Sequence, residues 1–425
     1  MALCASAADA SVDANFYYVR GEYWVAVICA DVDGPATIRE NNMIIEVKGV
    51  EFCNNGSELM LHSIMAMLAE QLPGHQLVLS PGHLLPYQQR ARLGAWQKFS
   101  FQLWGLDWTW MGSLAPAGLR RLLRHFGIVV EKDIDVVLDA SGFVYSDNWG
   151  RQRLQKTLKQ IKRCSKYDTQ YIFLSQAFGP FHERKNKRLM QSIVAYASLV
   201  IARDKVSLRW LNESVGKHGK QKIRYFPDFT PLLEPNDINL ALRLPQKFVC
   251  IIPNSKMFLG KSPASKQMYL KFLNEVILAV RSLGLTLFIL NHEGKKDQDI
   301  CLELLAKLDD KPQVLSDLSG LEMKKIISLS LFCVSSRFHA CVSGLSQGVP
   351  VLATSWSHKY EELYQDYQCP SYILDITEVA TGLSQKMLQL VAQRSDISLH
   401  LLRQSESHKA RIRDMWSEVF NKICL

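Results

Sequence analysis

Short, wholly apolar runs alternate along this chain with longer stretches in which apolar residues return every three or four positions. The first pattern reads as strands buried on both faces, the second as helices with one stripe turned inward. In the first half the strand-like runs are 42–52, 77–79, 134–138, 171–175 and 199–202, with helical spacing over 57–72, 151–162, 189–197 and from 207. A stretch with few apolar periodicities, 231–246, separates the halves. The second half then supplies strand-like runs at 248–252, 285–290, 313–315, 329–334, 349–353 and 372–374. Its helical spacing covers 267–283, 300–308, 321–329, 340–347, 376–394 and 399–421. Strands alternating with helices predict parallel sheets covered by helices.

The expected fold class is therefore α/β, with two Rossmann-like domains. At 425 residues the chain exceeds one average core. Residues 43–230 form the first expected domain, 231–246 the linker and 247–425 the second domain, whose last helix is expected to cross back. Residues 1–42 stay unassigned, although 16–30 has strand-like alternation.

In such folds ligands sit beyond the carboxyl ends of the strands, where helix N–H groups favour anions. The turns at these ends supply the candidate chemistry. After 329–334 come Ser336, Arg337 and His339 at the start of a helix. Arg337 offers a planar fork for carboxylate or phosphate, and His339 can give or take a proton near neutral pH. Arg203 ends another strand and is a second anion candidate, with an ion pair to Asp204 or a neighbour as its plain alternative. Asn254 and Lys256 follow 248–252, and His292 and Glu293 follow 285–290. In the first domain Asn54-Asn55-Gly56 reads as a turn before a helix capped by Ser57, with Glu58 in its first turn. Gly142 lets backbone approach a ligand, and Asp139 and Asp147 flank it as general-base or capping carboxylates. Gln176 ends the next strand, and His358 and Glu361 close the list of cleft candidates. Gly260-Lys261-Ser262 is no phosphate loop, because that motif needs glycine where Ser255 stands. Trp96, Trp104, Trp108 and Trp110 suit a sugar platform, core packing or a membrane-facing surface.

The net charge of +9 suits an anionic small substrate, an anionic polymer or a membrane surface. The lack of an arginine-rich arm or a repeated basic–aromatic pattern argues against nucleic acid. None of the ten cysteines forms a CxxC pair, so a reduced, cytoplasmic protein without structural zinc is expected. No apolar run reaches the length of a membrane span, and the amino terminus lacks the features of a secretory signal.

The stretch 335–363, SSRFHACVSGLSQGVPVLATSWSHKYEEL, resembles the signature of the polysaccharide pyruvyl transferase family. NNGSELML (54–61), DASGFVYSDNWG (139–150), LSQAFGPF (174–181), ARDKVS (202–207), PDFT (227–230), IIPNSKM (251–257) and NHEG (291–294) continue it in order. The resemblance implies a GT-B-like arrangement, two Rossmann-like domains facing an interdomain cleft. It implies transfer of the enolpyruvyl group of phosphoenolpyruvate onto two sugar hydroxyls of a glycan or glycan precursor, which forms a pyruvate ketal and releases phosphate. Phosphoenolpyruvate is the donor substrate, and no cofactor or metal is required. On this reading Arg337, Arg203, Lys256, Ser336 and Asn254 hold the donor, and His339 and Asp139 act in proton transfer. Asn55, Gly56, Glu58, Gly142, Asp147, Gln176, His292, Glu293, His358 and Glu361 face the cleft or the acceptor, a sugar or lipid-linked oligosaccharide. One departure matters: many relatives show aspartate after the first glycine, where this chain has Ser57. The base's work then falls to Glu58, Asp139 or Asp147. The rival readings are a nucleotide-sugar glycosyltransferase of the same architecture, and a non-catalytic sugar- or partner-binding protein.

Overall fold

The computed structural model describes residues 43–103, 106–258 and 262–424. Residues 1–42, Trp104, Gly260 and Lys261 lie outside the described residues. In chain order the first half supplies β1 (Ile44–Lys48), β2 (Gln76–Leu79), β3 (Trp96–Lys98), the hairpin β4 (Gln102–Leu103) and β5 (Leu106–Asp107), β6 (Ile128–Val129), β7 (Val136–Asp139), β8 (Gln170–Gln176), β9 (Leu199–Ala202) and β10 (Ile223–Tyr225). Its helices are α1 (Asn55–Gln71), α2 (Tyr87–Arg92), α3 (Ala117–His125), α4 (Arg151–Lys166), α5 (Arg184–Tyr196), α6 (Lys205–Ser214) and α7 (Lys217–Lys220). The second half supplies β11 (Phe248–Ile252), β12 (Thr286–Leu290), β13 (Gln313–Leu315), β14 (Cys333–Ser335), β15 (Val351–Thr354) and β16 (Ile373–Leu374). With them come α8 (Pro263–Ser282), α9 (Gly294–Leu305), α10 (Gly320–Leu329), α11 (Phe338–Ser346), α12 (Lys359–Asp366), α13 (Ala380–Ala392) and α14 (Arg394–Ile423).

Two parallel sheets result, one per half. The first is eight-stranded, in the order β10-β9-β8-β7-β1-β2-β3-β6, and the second six-stranded, β13-β12-β11-β14-β15-β16. In each sheet the chain starts at a central strand, runs to one edge, and returns beside its starting point. The return puts a topological switch between β1 and β7 in one sheet and between β11 and β14 in the other. Loops diverge there and leave a crevice at the strand carboxyl ends.

The strands form where the apolar runs predict them. FVCII of β11 and VLAT of β15 are buried throughout, because helices cover both faces of the sheet. Apolar residues fill both faces of each sheet in separate clusters. Helix α14 belongs to both halves: Leu401 packs into the second domain, while Ile412, Met415, Trp416 and Val419 pack under the first sheet.

Three local expectations are corrected. Leu329 closes α10 and is exposed, so the strand starts later, at Cys333. Asn54, not Ser57, caps α1, accepting from the amides of Gly56 and Ser57. Asn55 and Gly56 therefore lie in the first helical turn, and Ser57 Oγ accepts instead from the Glu51 amide at 2.8 Å. The last two helices run 380–392 and 394–423, broken at Gln393 and not over 395–398.

Candidate active site at the domain seam

Both switch points open on the same seam. The loop after β1 meets the loop after β12: Asn54 bridges Glu293, and the Asn55 amide donates to the His292 carbonyl at 3.4 Å. Glu58 Oε2 accepts the amide of Gly320, the first residue of α10, at 2.9 Å. Glu362 on α12 accepts the Lys205 amide of α6 at 3.0 Å. Glu58 thus ties one domain to the other, with its carboxylate over a helix amino end.

At the centre stands the turn between β14 and α11. Ser335 Oγ accepts the Arg337 amide at 3.0 Å and fixes the start of the helix. Ser336 turns its hydroxyl inward, to Tyr269 at 2.7 Å and Thr354 at 2.6 Å. Asn254 donates from Nδ2 to the Ser336 carbonyl at 2.7 Å and accepts the Lys256 amide at 2.9 Å, joining the loops after β11 and β14. Ser336 and Asn254 therefore shape the turn. Arg337 is buried between Glu293 and Asp297, the latter on α9. Burial lowers the Arg337 guanidinium only to about 10, so it stays charged at neutral pH. Lys256 is half-buried with Nζ 5.0 Å from the Trp149 ring of the first domain, and burial followed by Arg337 lowers its pKa.

His339 projects from the first turn of α11 against Gly56. A Cβ on Gly56 would lie 2.2 Å from His339 Nδ1, so the ring fits only because residue 56 has no side chain. Nε2 lies 3.4 Å from Asp228 Oδ2, just beyond β10. Asp228 also accepts from Arg203 at 3.1 Å, and from the Thr230 amide at 3.0 Å and hydroxyl at 2.5 Å. Burial alone would raise the Asp228 carboxyl, but His339, Arg203 and Thr230 hold it well below the usual carboxylate range. Burial lowers the His339 pKa, Asp228 offsets part of that, and Arg203 and Lys359 add to it.

Arg203 follows β9 directly, with its guanidinium 4.2 Å from the Phe338 ring centroid. Its ion-pair partner is Asp228, not the adjacent Asp204, which caps α6 and faces His358 at 3.5 Å. Beside Arg203 lies Lys359, buried, with Nζ 4.3 Å from the Trp356 ring centroid and 5.1–5.6 Å from those of Phe338, Phe143 and Tyr360. Burial, then Arg203 and Arg337, lower the Lys359 pKa well below its ordinary value. No carboxylate among the described residues lies within ion-pair distance of it. Arg203, Phe338 and Lys359 line one small cavity of ≈ 20 Å³ with Asp228. Of the buried nitrogens at this seam, Arg203 Nε and Arg337 Nε have no hydrogen-bond partner among the described residues. Buried donors of that kind are rare unless a ligand or water completes them.

A sequence model of the polysaccharide pyruvyl transferase family matches residues 54–358. The chain belongs to this family. The sequence search found no match among curated proteins. Solved structures resemble the fold at low identity. UDP-GlcNAc 2-epimerase from Neisseria meningitidis aligns with a TM-score of 0.57 at 11% identity, over 90% of this chain and 99% of the other. A glycosyltransferase from Rickettsia africae aligns at 0.53 and 13% identity, over 90% and 98%. At these identities the likeness shows the fold alone, which is the two-domain GT-B architecture.

Within this pyruvyl transferase fold the remaining candidates take up other places. Asp139 is wholly buried: one oxygen accepts from Tyr145 and Tyr171 at 2.6 and 2.7 Å, the other from the Ser141 hydroxyl at 2.6 Å. A carboxylate so enclosed has no path to an acceptor hydroxyl. Asp147 accepts the His182 and Glu183 amides and the Asn186 side chain, which settles the loop entering α5. Gln176 is buried against the Asp139 carbonyl at 3.1 Å. Gly142 has φ +73°, and an added Cβ would meet only the Met60 methyl at 3.6 Å, so backbone conformation accounts for this glycine. Buried His292 is held neutral, its pKa lowered by burial and then by Arg337. Glu361 is exposed on α12. Asp228, Asp297 and Lys359 join the site without having been singled out in the sequence. Asp228 was legible only as part of PDFT, and Lys359 looks like an ordinary first-turn lysine. Among the described residues no group of three or more His, Cys, Asp or Glu side chains is placed to hold a metal, and no helix is long and apolar enough to cross a membrane.

Proposed function

We propose that this protein transfers the enolpyruvyl group of phosphoenolpyruvate to two hydroxyls of a sugar acceptor in a glycan or glycan precursor, forming a pyruvate ketal and releasing phosphate. What carries the reading is the convergence of Arg203, Arg337, Lys359 and His339 on one seam, with Lys359 buried and no carboxylate among the described residues within ion-pair distance of it. Buried cations that depress one another need an anion, and a small donor with both carboxylate and phosphate supplies it.

The chemistry follows from the same groups. A proton from His339 Nε2 adds to the donor methylene carbon, and Asp228 steadies the imidazolium before transfer. The C3 methyl forms, and C2 becomes electron-poor. The first acceptor hydroxyl attacks C2 and loses its proton, which restores the charge on His339. The second hydroxyl then displaces phosphate, and its proton leaves with the phosphate. Arg203 and Lys359 stabilise the departing charge in a water-poor site. One hydroxyl proton has gone to the methyl and one to phosphate, so the step balances without a redox partner or metal.

Titration of the protein with phosphoenolpyruvate, with UDP-N-acetylglucosamine and with inorganic phosphate tests the reading. Binding specific to phosphoenolpyruvate, weakened about a hundredfold or more in Lys359→Ala or Arg203→Ala, is expected. Binding of the sugar nucleotide alone would overturn it in favour of a glycosyltransferase.

A further inference from the structure

The first domain turns an unusual face to solvent. Seven of the eighteen large hydrophobic side chains exposed in the described residues fall between residues 101 and 126. Singly scattered apolar residues need no explanation, but a cluster of this kind does. Helix α3 has no buried residue at all. Its Leu119 and Leu122, with Phe126 at its C-cap, follow helical spacing along one stripe and are 47%, 52% and 72% exposed. Arg120 and Arg124 point the other way, both to Asp133 on the body of the domain. The ordinary amphipathic order is thus inverted: ion pairs hold the helix down and its apolar stripe faces out. Leu114 and Met111, from the turn before α3, extend the stripe at 69% and 46% exposure, and Trp110 stands beside them.

A basic surface adjoins the stripe. Helix α4 carries seven Lys and Arg and no acidic residue, and α5, packed against it, carries four. Arg151 and Arg163 are paired with acids, but Arg153, Lys156, Lys159, Lys162 and Lys166 are exposed. The two features are joined. Arg163 pairs with Glu131 and reaches Asp107 at 3.9 Å, and the turn holding Glu131 packs on the one holding Trp110 and Leu114.

We propose that this face docks on an anionic lipid bilayer. The leucines and Phe126 would enter the boundary between headgroups and chains, and the α4–α5 cations would lie over the negative surface. Protruding aliphatic and aromatic side chains beside a spread row of lysines match such a surface in both hydrophobicity and charge. Its cations are dispersed along two helices, which suits a lipid plane better than one acidic protein partner. The proposal does not depend on the donor chemistry.

The test is co-sedimentation of the full chain with phosphatidylcholine vesicles, with and without phosphatidylglycerol. Two exposed-site variants run beside it: Leu119→Ser/Leu122→Ser/Phe126→Ser, and Lys156→Glu/Lys159→Glu/Arg188→Glu. Circular dichroism and urea unfolding confirm that each variant is folded. Binding is expected only with phosphatidylglycerol, weakened about tenfold or more in the apolar variant and about a hundredfold in the charge variant. Equal binding to neutral vesicles, or none to anionic ones, would overturn the proposal. So would an apolar variant that binds like the native chain, or full competition by soluble polyphosphate, since either outcome assigns the face to a soluble polyanion or an acidic protein.

Discussion

Gly56 and His339 come from different domains and meet at a distance that permits no side chain on residue 56. A methyl there would stand 2.2 Å from Nδ1 and 2.7 Å from Cγ of the imidazole. The ring must then swing away from Asp228, and a displacement of about an ångström in a reacting group costs on the order of a hundredfold in rate. Gly56→Ala is therefore expected to lower phosphate release from phosphoenolpyruvate by about that factor. Gly56→Ala combined with His339→Ala should be no slower than His339→Ala alone, because both act on one ring. Additive losses in the two single variants would mean that Gly56 works through something other than the histidine. Asp228 gives a second check at this scale. It raises the His339 pKa, so Asp228→Asn should lower it further. If the protonated ring is the acid, the falling limb of the pH–rate profile moves to lower pH in that variant. An unmoved limb would separate Asp228 from the acid.

At the scale of elements, three segments build the surroundings of Lys359: the loop after β7 with Phe143, the start of α11 with Phe338, and the turn from β15 into α12 with Trp356 and Tyr360. Their meeting explains what the sequence showed and what it concealed. Strands such as β11 and β15 were legible because burial on both faces leaves a continuous apolar signature. Arg337 and His339 were legible because they stand where a strand hands over to a helix. The cage around Lys359 was hidden, since no local pattern announces that Phe143 and Phe338 will join Trp356 and Tyr360 around it. Asp139 is a related case: its position at a strand end suggested a base, while Tyr145 from the loop that follows and Tyr171 from β8 enclose its carboxylate. The cap of α1 was misassigned because asparagine and serine are both good caps, and only the tertiary bond from Glu51 to Ser57 decides between them. The cage also makes a prediction. Burial and its cationic neighbours lower the Lys359 pKa in the free protein, and a dianionic donor beside it must raise that pKa. Donor binding then takes up a proton at pH between the depressed value of the free protein and the raised value of the complex. Within that window phosphoenolpyruvate should bind more tightly as pH falls, by up to about tenfold per pH unit for one proton. Titration calorimetry in buffers of different ionisation enthalpy reads the proton directly, and Lys359→Met should remove its contribution. A proton count unchanged by that substitution would sink the idea.

Across the whole molecule, the site depends on how the two domains are held, because its cations and its histidine come from both. Helix α14 is the longest tie. It leaves the second domain near Leu401 and ends beneath the first sheet, where Trp416 is 1% exposed and meets Phe229 edge-on at 5.9 Å. Phe229 follows Asp228 directly, so the indole supports the loop that carries the partner of His339. Trp416→Ala leaves a large void in that cluster and should cost about 3–5 kcal/mol of stability, read by urea unfolding. The loss should also reach the chemistry. With the support gone, the Asp228 loop can shift, and kcat should fall although residue 416 touches neither donor nor acceptor. Trp416→Phe keeps an aromatic face against Phe229 and should recover most of the rate while remaining less stable than the native chain. If Trp416→Ala unfolds at lower urea yet turns over at the native rate, then α14 holds the domains together without setting the position of Asp228, and the seam is organised by the shorter ties through Glu58 and Glu362.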